Sequence, residues 1–301
     1  MTSLLVVGAT GIVGRPLVQA LRAAGADVRA AAPSHRVRPV ADQSRPGGIE
    51  PVIFDVTKPG TWSPAFTGIE TMFCLRPPRI ADVDRQLPAM LVRARDAGVR
   101  HVVYLSAQGA GHHGPLPHSR LPHSRIEAWL RDSGLSWTFV RPSPLMQIFS
   151  TVHAAGIRDR DAIVVPAGSG RTAFVDAYDV AAVAARAMLN PTGHKHRAWT
   201  LTGPAAVNYD EVAATLSAVL GRRIRYTRPG VMAYVRHARR ELRLPPAMIA
   251  ATAAVHTTAR LGFAAELTDD VREVTGHAPT ELREFAERER SAWERPPGFV
   301  R

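Results

Sequence analysis

Short apolar runs alternate with amphipathic stretches along the first half of the chain. Leu4–Val7 is apolar throughout and runs into three glycines spaced three apart, Gly8, Gly11 and Gly14. Val13, Leu17, Val18 and Leu21 then share one helical face, with Gln19 and Arg22 on another. This pattern predicts a strand, a tight glycine turn and a helix. Further strands are expected at Val28–Ala32, Pro51–Phe54, Thr71–Leu75, His101–Leu105 and Trp137–Val140. Helices are expected at Val13–Ala24, Val83–Ala97 and Pro122–Asp132. Gly25, Gly98 and Gly134 stand just past helix ends, where a left-handed cap favours glycine. Strands that alternate with helices require crossover connections. The fold class is therefore α/β, a Rossmann-type doubly wound parallel sheet.

The rhythm changes in the second half. Phe174-Val175 reads as one more sheet strand, followed by a helix over Ala177–Leu189. A short strand ends at Trp199–Pro204, and Tyr209–Leu220 is a helix capped by Asn208 and stopped by Gly221. Ile224–Tyr226 is a short strand. Helices follow from Pro229, including a buried one over Pro245–Ala259 and another over Glu281–Trp293. The expected organisation is a dinucleotide-binding domain over 1–150 plus about 172–190. A smaller, mostly helical C-terminal substrate lobe takes 151–171 and 191–301. The tandem Leu-Pro-His-Ser-Arg at 116–120 and 121–125 is too short to be a repeat architecture.

Composition narrows the class. The 46% hydrophobic and 21% charged fractions are those of an ordinary globular protein. The single cysteine, Cys74, excludes an internal disulfide and suits a reducing, cytoplasmic compartment. No basic-then-apolar leader precedes the first strand, and no stretch is apolar enough to predict a membrane span. The net charge of +12 raises a nucleic-acid partner. However, Lys58 and Lys195 are the only lysines, and the arginines are dispersed. That pattern fits the coding bias of a GC-rich genome, so a small-molecule substrate is expected rather than nucleic acid or membrane. Oligomeric state is not legible.

The glycine turn carries the first chemistry. Gly8 permits the sharp turn, Gly11 lets the backbone approach a pyrophosphate, and Gly14 lets helix and strand pack closely. With Thr10, Ile12 and Val13 these residues would hold the phosphates at the helix N-terminus. The acidic residue that bonds an adenosine ribose should follow about 20 residues later. Here Ala30–Ala32 is followed by Pro33-Ser34-His35-Arg36, with no carboxylate. Ser34 and Arg36 suit a 2′-phosphate, which favours NADP(H) over NAD(H). Leu75, Arg76 and Pro77 after the fourth strand, and Ser106 after the fifth, stand at strand ends where ligands bind in open α/β sheets.

Several ordered motifs resemble the NmrA-like family of the atypical short-chain dehydrogenase/reductase superfamily. They are the Gly8–Gly14 turn; His123, Glu127, Ser133-Gly134-Leu135, Thr138 and Arg141-Pro142; Asp176 with Asp179-Val180-Ala181; and Leu201–Pro204 followed by Glu211-Val212-Ala213 and Leu220-Gly221-Arg222. The resemblance covers nearly the whole chain. It implies a Rossmann sheet with a small C-terminal lobe, an adenine contact at Asp55 and Val56, and a cofactor contact at Pro142. It also implies a substrate pocket lined by Met146, Gln147, Ile148 and Phe149. Ile148 stands where the family often has Asn, which points to an apolar or aromatic substrate.

The superfamily's Tyr-x-x-x-Lys pair is missing. The tyrosines are 104, 178, 209, 226 and 234, and none has Lys four residues later. Counting from Glu127, the Lys position falls on His123 and the Tyr position on Ser119. His123 is the candidate to hold the ribose or act as general acid near neutral pH, against a surface histidine as the alternative. Ser106 is the candidate to bond a substrate carbonyl. Glu127 either bonds the His123 ring or is a helix-surface acid. His112, His113 and His118 crowd the preceding loop without a recognised ligand spacing, so no metal is expected. The expected function is an NADPH-dependent reductase of a small apolar or aromatic carbonyl, quinone or imine. The alternatives are a non-catalytic NADP-binding sensor and a non-redox isomerase or cyclase on the same fold.

Overall fold

A computed structural model describes residues 3–33, 48–77, 83–111 and 122–295. Two compact units make up the chain. The first comprises 1–142, 177–201 and 270–277; the second comprises 143–176, 202–269 and 278–301.

The first unit is a parallel sheet with helices on both faces. Its strands are β1 (Ser3–Val7), β2 (Val28–Ala32), β3 (Ile49–Ile53), β4 (Ile69–Leu75), β5 (His101–Leu105), β6 (Ser136–Pro142) and a later strand, β8 (Arg197–Leu201). The order across the sheet is β3-β2-β1-β4-β5-β6-β8. Its helices are α1 (Gly14–Ala23), α2 (Trp62–Phe66), α3 (Val83–Asp96), α4 (Pro122–Asp132), α6 (Ala177–Leu189), α7 (Pro191–His194) and α11 (Asp270–Thr275).

Alternation along the strands divides the core. Leu5, Val7, Met72, Cys74, Val102, Tyr104 and Phe139 pack with Phe66, Leu87, Leu91, Ile126 and Leu130 of α2, α3 and α4. The opposite face is covered by α1 and α6, which pack on each other. The strand order reverses between β1 and β4, and the carboxyl edge at that switch point is where ligands bind in such sheets.

Two expectations fail in the first unit. The seventh strand is β8, paired in parallel with β6 through Thr138↔Arg197 to Pro142↔Leu201. Phe174-Val175 is not a sheet strand, because Val175 forms only an isolated bridge with Leu145. Residues 191–201 and 270–277, assigned from sequence to the second lobe, cluster with the sheet.

The second unit contains α5 (Ala154–Arg160), β7 (Ala162–Ile163), α8 (Tyr209–Leu220), β9 (Arg225–Tyr226), α9 (Val231–Arg240), α10 (Pro246–Arg260) and α12 (Leu282–Arg288). Asn208 caps α8 in a full capping box with Glu211, and Gly221 ends it at φ 65°. Trp293 is fully buried and donates its indole N–H to the Phe149 carbonyl at 2.9 Å. The C-terminal helix is shorter than predicted, giving way to a 3-10 turn over Arg290–Trp293. The α10 helix is not buried: Met248 and Val255 are exposed, while Ile249, His256 and Ala259 face inward. Its Ala- and Thr-rich sequence hides this sidedness.

Candidate functional site

The glycine turn joins β1 to α1 at the switch point. Gly8 has φ +76°, and a Cβ there would lie 2.8 Å from Leu75 Cδ2 at the end of β4. A Cβ on Gly14 would overlap the Gly8 carbonyl oxygen, and one on Gly11 would lie 3.1 Å from it. Gly8 and Ala9 donate their N–H groups to the Ala31 carbonyl of β2 at 3.0 and 3.1 Å. Val13 precedes α1 without a side-chain cap, and no acidic residue occupies the first turn. This cradle fits a dinucleotide pyrophosphate: its walls exclude side chains, and neither a side-chain cap nor a carboxylate competes for the helix N-terminus. Val13 itself is buried, so only its backbone is available, whereas Ile12 is exposed.

Asp55 and Val56 follow β3. Asp55 Oδ1 accepts from the N–H and the hydroxyl of Thr57 at 2.9 and 2.7 Å. The Thr57 hydroxyl bond holds the carboxyl below its usual range. The residue therefore builds a turn, as Asp commonly does. Val56 turns its side chain into the core, leaving its backbone for any contact. Ser34 and Arg36 lie outside the described residues, as do His112, His113, His118 and Ser119.

The carboxyl ends of β4, β5 and β6 bring the remaining candidates together. Leu75 pairs in register with Leu105, so Arg76 and Ser106 are neighbours one step beyond the ladder. Ser106 is buried, and its hydroxyl donates to Glu127 Oε1 at 2.6 Å. This corrects the expectation for Ser106: its single proton is committed to a carboxylate and is not available to a substrate carbonyl.

Glu127 itself is neither a surface acid nor a partner of the His123 ring. It is fully buried. Arg141 on β6 grips it with both Nε and a terminal nitrogen, at 2.8 and 2.6 Å. Arg131, one turn on, adds a third guanidinium contact at 3.0 Å. Burial alone would raise the Glu127 carboxyl; the bonds from Arg141 and Ser106 outweigh it and hold the group ionised. Gly111 lies against the Arg141 guanidinium so closely that a Cβ there would collide with it.

The partner of His123 is Tyr104, which the sequence pattern did not single out. Its phenol oxygen lies 3.0 Å from His123 Nδ1, and the two rings stand 5.9 Å apart. Tyr104 is fully buried on β5. Burial is the main cause that drives the His123 imidazole down to about 4, with the Arg76 charge adding to it. His123 is therefore neutral at pH 7, which corrects the expectation of an imidazolium acid near neutrality.

Residues 146–149 belong to the second unit. Met146 and Phe149 are core residues there, and Ile148 packs against that core half-buried. Gln147 is buried and donates to Asp176 Oδ1 at 2.9 Å, while Arg288 pairs with the same carboxylate. Three of the four expected pocket residues thus serve packing. Among the described residues no group of three or more His, Cys, Asp or Glu is placed to hold a metal. None of the described helices is long and apolar enough to cross a membrane.

Residues 8–191 match a protein family described as NAD(P)H-binding. The chain is 31% identical over 290 residues to an NAD(P)H azoreductase from Xenophilus azovorans, covering 96% of this chain and 99% of that protein. It is 34% identical over 286 residues to a (4-alkanoyl-5-oxo-2,5-dihydrofuran-3-yl)methyl phosphate reductase from Streptomyces griseus, covering 94% and 96%. A crystal structure of Citrobacter sp. triphenylmethane reductase complexed with NADP(H) superposes with a TM-score of 0.78 at 26% identity, over 95% of this chain and 99% of that one.

Proposed function

The chain belongs to the NAD(P)H-binding family, and on that premise we propose that it is an NADPH-dependent reductase of a small apolar or aromatic acceptor. Quinones, carbonyl compounds, imines and azo compounds are the acceptor classes. The observation that carries this reading is whole-chain similarity to two reductases. The azo class enters from the first of them.

The Gly8–Gly14 turn and the N-terminus of α1 bind the pyrophosphate. Ser34 and Arg36 take the 2′-phosphate, since β2 ends in Ala30–Ala32 without a carboxylate. Asp55, through the oxygen that Thr57 does not take, and the Val56 backbone border the adenine. Leu75, Pro77 and Pro142 border the nicotinamide end. When bound, the reduced nicotinamide supplies a hydride to the acceptor. The bond between Tyr104 and His123 Nδ1 leaves Nε2 as the ring nitrogen available to the reacting group. The Glu127–Arg141 pair fixes α4 against β6 and so fixes where His123 points.

One observation favours a second reading, a non-catalytic NADP-binding sensor: Ser106 has no proton to offer an acceptor. Loss of reduced-nicotinamide absorbance across a panel of quinones, aldehydes, imines and azo dyes separates the two. Turnover of at least one class is expected. Tight NADPH binding with no acceptor reduced would sink the reductase reading. Equal affinity for NADH and NADPH would overturn the assignment of Ser34 and Arg36.

A further inference from the structure

Among the described residues Arg76, at the carboxyl edge, has no counter-ion. Its Nε is buried and has no hydrogen-bond partner, and no ion pair involving Arg76 is formed among the described residues. The nearby carboxylate, Glu127, is already taken by Arg131, Arg141 and Ser106. The position is set by the ladder. Arg76 follows Leu75, whose side chain lies against the Gly8 turn, and it neighbours Ser106 beyond the Leu75↔Leu105 pair. Its charge is felt at His123. Gln108, two residues past Ser106, holds a buried side-chain N–H group, Nε2, that is likewise unpartnered. Arg76 as a whole is only part-buried, so its guanidinium is partly shielded and still open to a ligand; an unpaired cation in that position attracts negative charge beside the glycine turn.

We propose that Arg76, assisted by Gln108, stabilises the anion formed when the acceptor is reduced, and that the acceptor is accordingly a neutral electrophile of the quinone, azo or carbonyl class rather than a preformed cation. This rests on the reductase reading. One atom of the acceptor's C=O or N=N unit, or the quinone's conjugated system, gains a hydride from the reduced nicotinamide, which is oxidised by two electrons. The displaced π pair settles on the other heteroatom as an oxyanion or nitrogen anion opposite the guanidinium. A proton from water then neutralises it, while the neutral His123 ring can at most hydrogen-bond the developing anion. A cationic acceptor needs no such group, and the positive charge of Arg76 would oppose its binding.

The test compares the NADPH-loaded wild type with Arg76→Gln and Arg76→Lys. Calorimetry with 2-naphthoate and its neutral isostere 2-naphthamide reads anion recognition without turnover. The wild type should bind the carboxylate about tenfold more tightly than the amide, the worth of a hydrogen bond to a charged group. Arg76→Gln should erase that preference and Arg76→Lys restore part of it, with NADPH affinity unchanged in both. In turnover, Arg76→Gln should slow menadione reduction about tenfold and leave reduction of the cationic dye crystal violet equal or faster. No carboxylate preference in the wild type would overturn the proposal. So would weakened NADPH binding with acceptor selectivity unchanged, which would make Arg76 a cofactor ligand. A wild type that reduces no acceptor at all brings down the reductase reading and this inference with it. Turnover with unaltered selectivity in Arg76→Gln brings down this inference alone.

Discussion

Tyr104 on β5 and His123 on α4 are joined by a 3.0 Å hydrogen bond between the phenol oxygen and Nδ1. The bond decides which imidazole nitrogen is left to face a ligand. Replacing Tyr104 by Phe removes the hydroxyl and keeps the ring in the core. The expected stability loss is about 1 kcal/mol, read by urea denaturation. Acceptor reduction should fall about tenfold while NADPH affinity holds, because orientation rather than cofactor binding is lost. The wild-type pH profile gives a second readout. With His123 held near about 4, kcat/KM should show no inflection near pH 6.5 attributable to this residue. An inflection there that His123→Ala abolishes would mean the imidazole titrates normally.

Glu127 is the structural centre of the same region. Removing it as Glu127→Ala strands the Arg141 guanidinium, whose side chain is only 15% exposed, and frees the Ser106 hydroxyl without a partner. Breaking a buried pair from one side costs about 3–5 kcal/mol. The midpoint of urea unfolding should drop accordingly. Ser106→Ala should cost about 1 kcal/mol and leave acceptor turnover near wild type. A large fall in turnover with stability intact would restore Ser106 to the chemistry.

The glycine turn, the strand rhythm and the helix caps were legible because each is a local pattern. Gly8, Gly14, Asn208 and Gly221 signal backbone needs that their neighbours in sequence already impose. Tyr104 was not legible. It lies in the apolar run His101–Leu105, where it reads as one more core residue, and its hydroxyl meets His123 only because α4 packs on that face of the sheet. Glu127 looked like a helix-surface acid because its partner Arg141 is 14 residues away on β6. β8 was misplaced for a similar reason: Arg197–Leu201 reveals itself as a sheet strand only through its pairing with β6. The apolar pair Phe174-Val175 gives the stronger local strand signal and forms only a bridge. Met146 and Phe149 could not be told from pocket residues, because core and pocket walls share the same apolar composition.

Gly14 and Gly25 provide a matched pair of substitutions. A Cβ at Gly14 would overlap the Gly8 carbonyl oxygen, while at Gly25 it would meet nothing within 4 Å. Gly14→Ala must push α1 away from the turn, at about 1–3 kcal/mol, and should weaken NADPH binding as well. Gly25→Ala carries only the strain of a left-handed residue at φ +76°, about 1 kcal/mol, and should leave NADPH affinity unchanged. Titration of NADPH fluorescence against both variants checks the contrast. Equal affinities would show that the turn is not the cofactor cradle.

Acid should unfold this protein earlier than its carboxylates alone would dictate. His153 and His256 are buried in the second unit, where burial pushes them to about 3 and about 4. Neighbouring imidazoles at His256 and His237 lower His153 further. His153 Nε2 has no hydrogen-bond partner, while His256 Nδ1 is 3.3 Å from the Tyr209 phenol oxygen. Buried His101 in the first unit is likewise lowered to about 4. Each of these folded values lies below the ordinary 6.5. Between the two values the unfolded chain binds more protons than the folded one, so stability falls as pH drops through that window. It is fully present above about pH 6.5 and lost progressively toward pH 4, by on the order of 3 kcal/mol per histidine. Glu127, also held below its ordinary value, adds a further loss only below about pH 4.5, where the unfolded carboxyl takes up its proton. Urea midpoints measured from pH 8 to pH 4.5 should therefore decline from about pH 6.5 downward. His153→Phe fills the site beside Phe149 with a ring that cannot charge, and should flatten this decline. A midpoint that stays constant between pH 7 and pH 5 in the wild type would show that these imidazoles are protonated in the folded state.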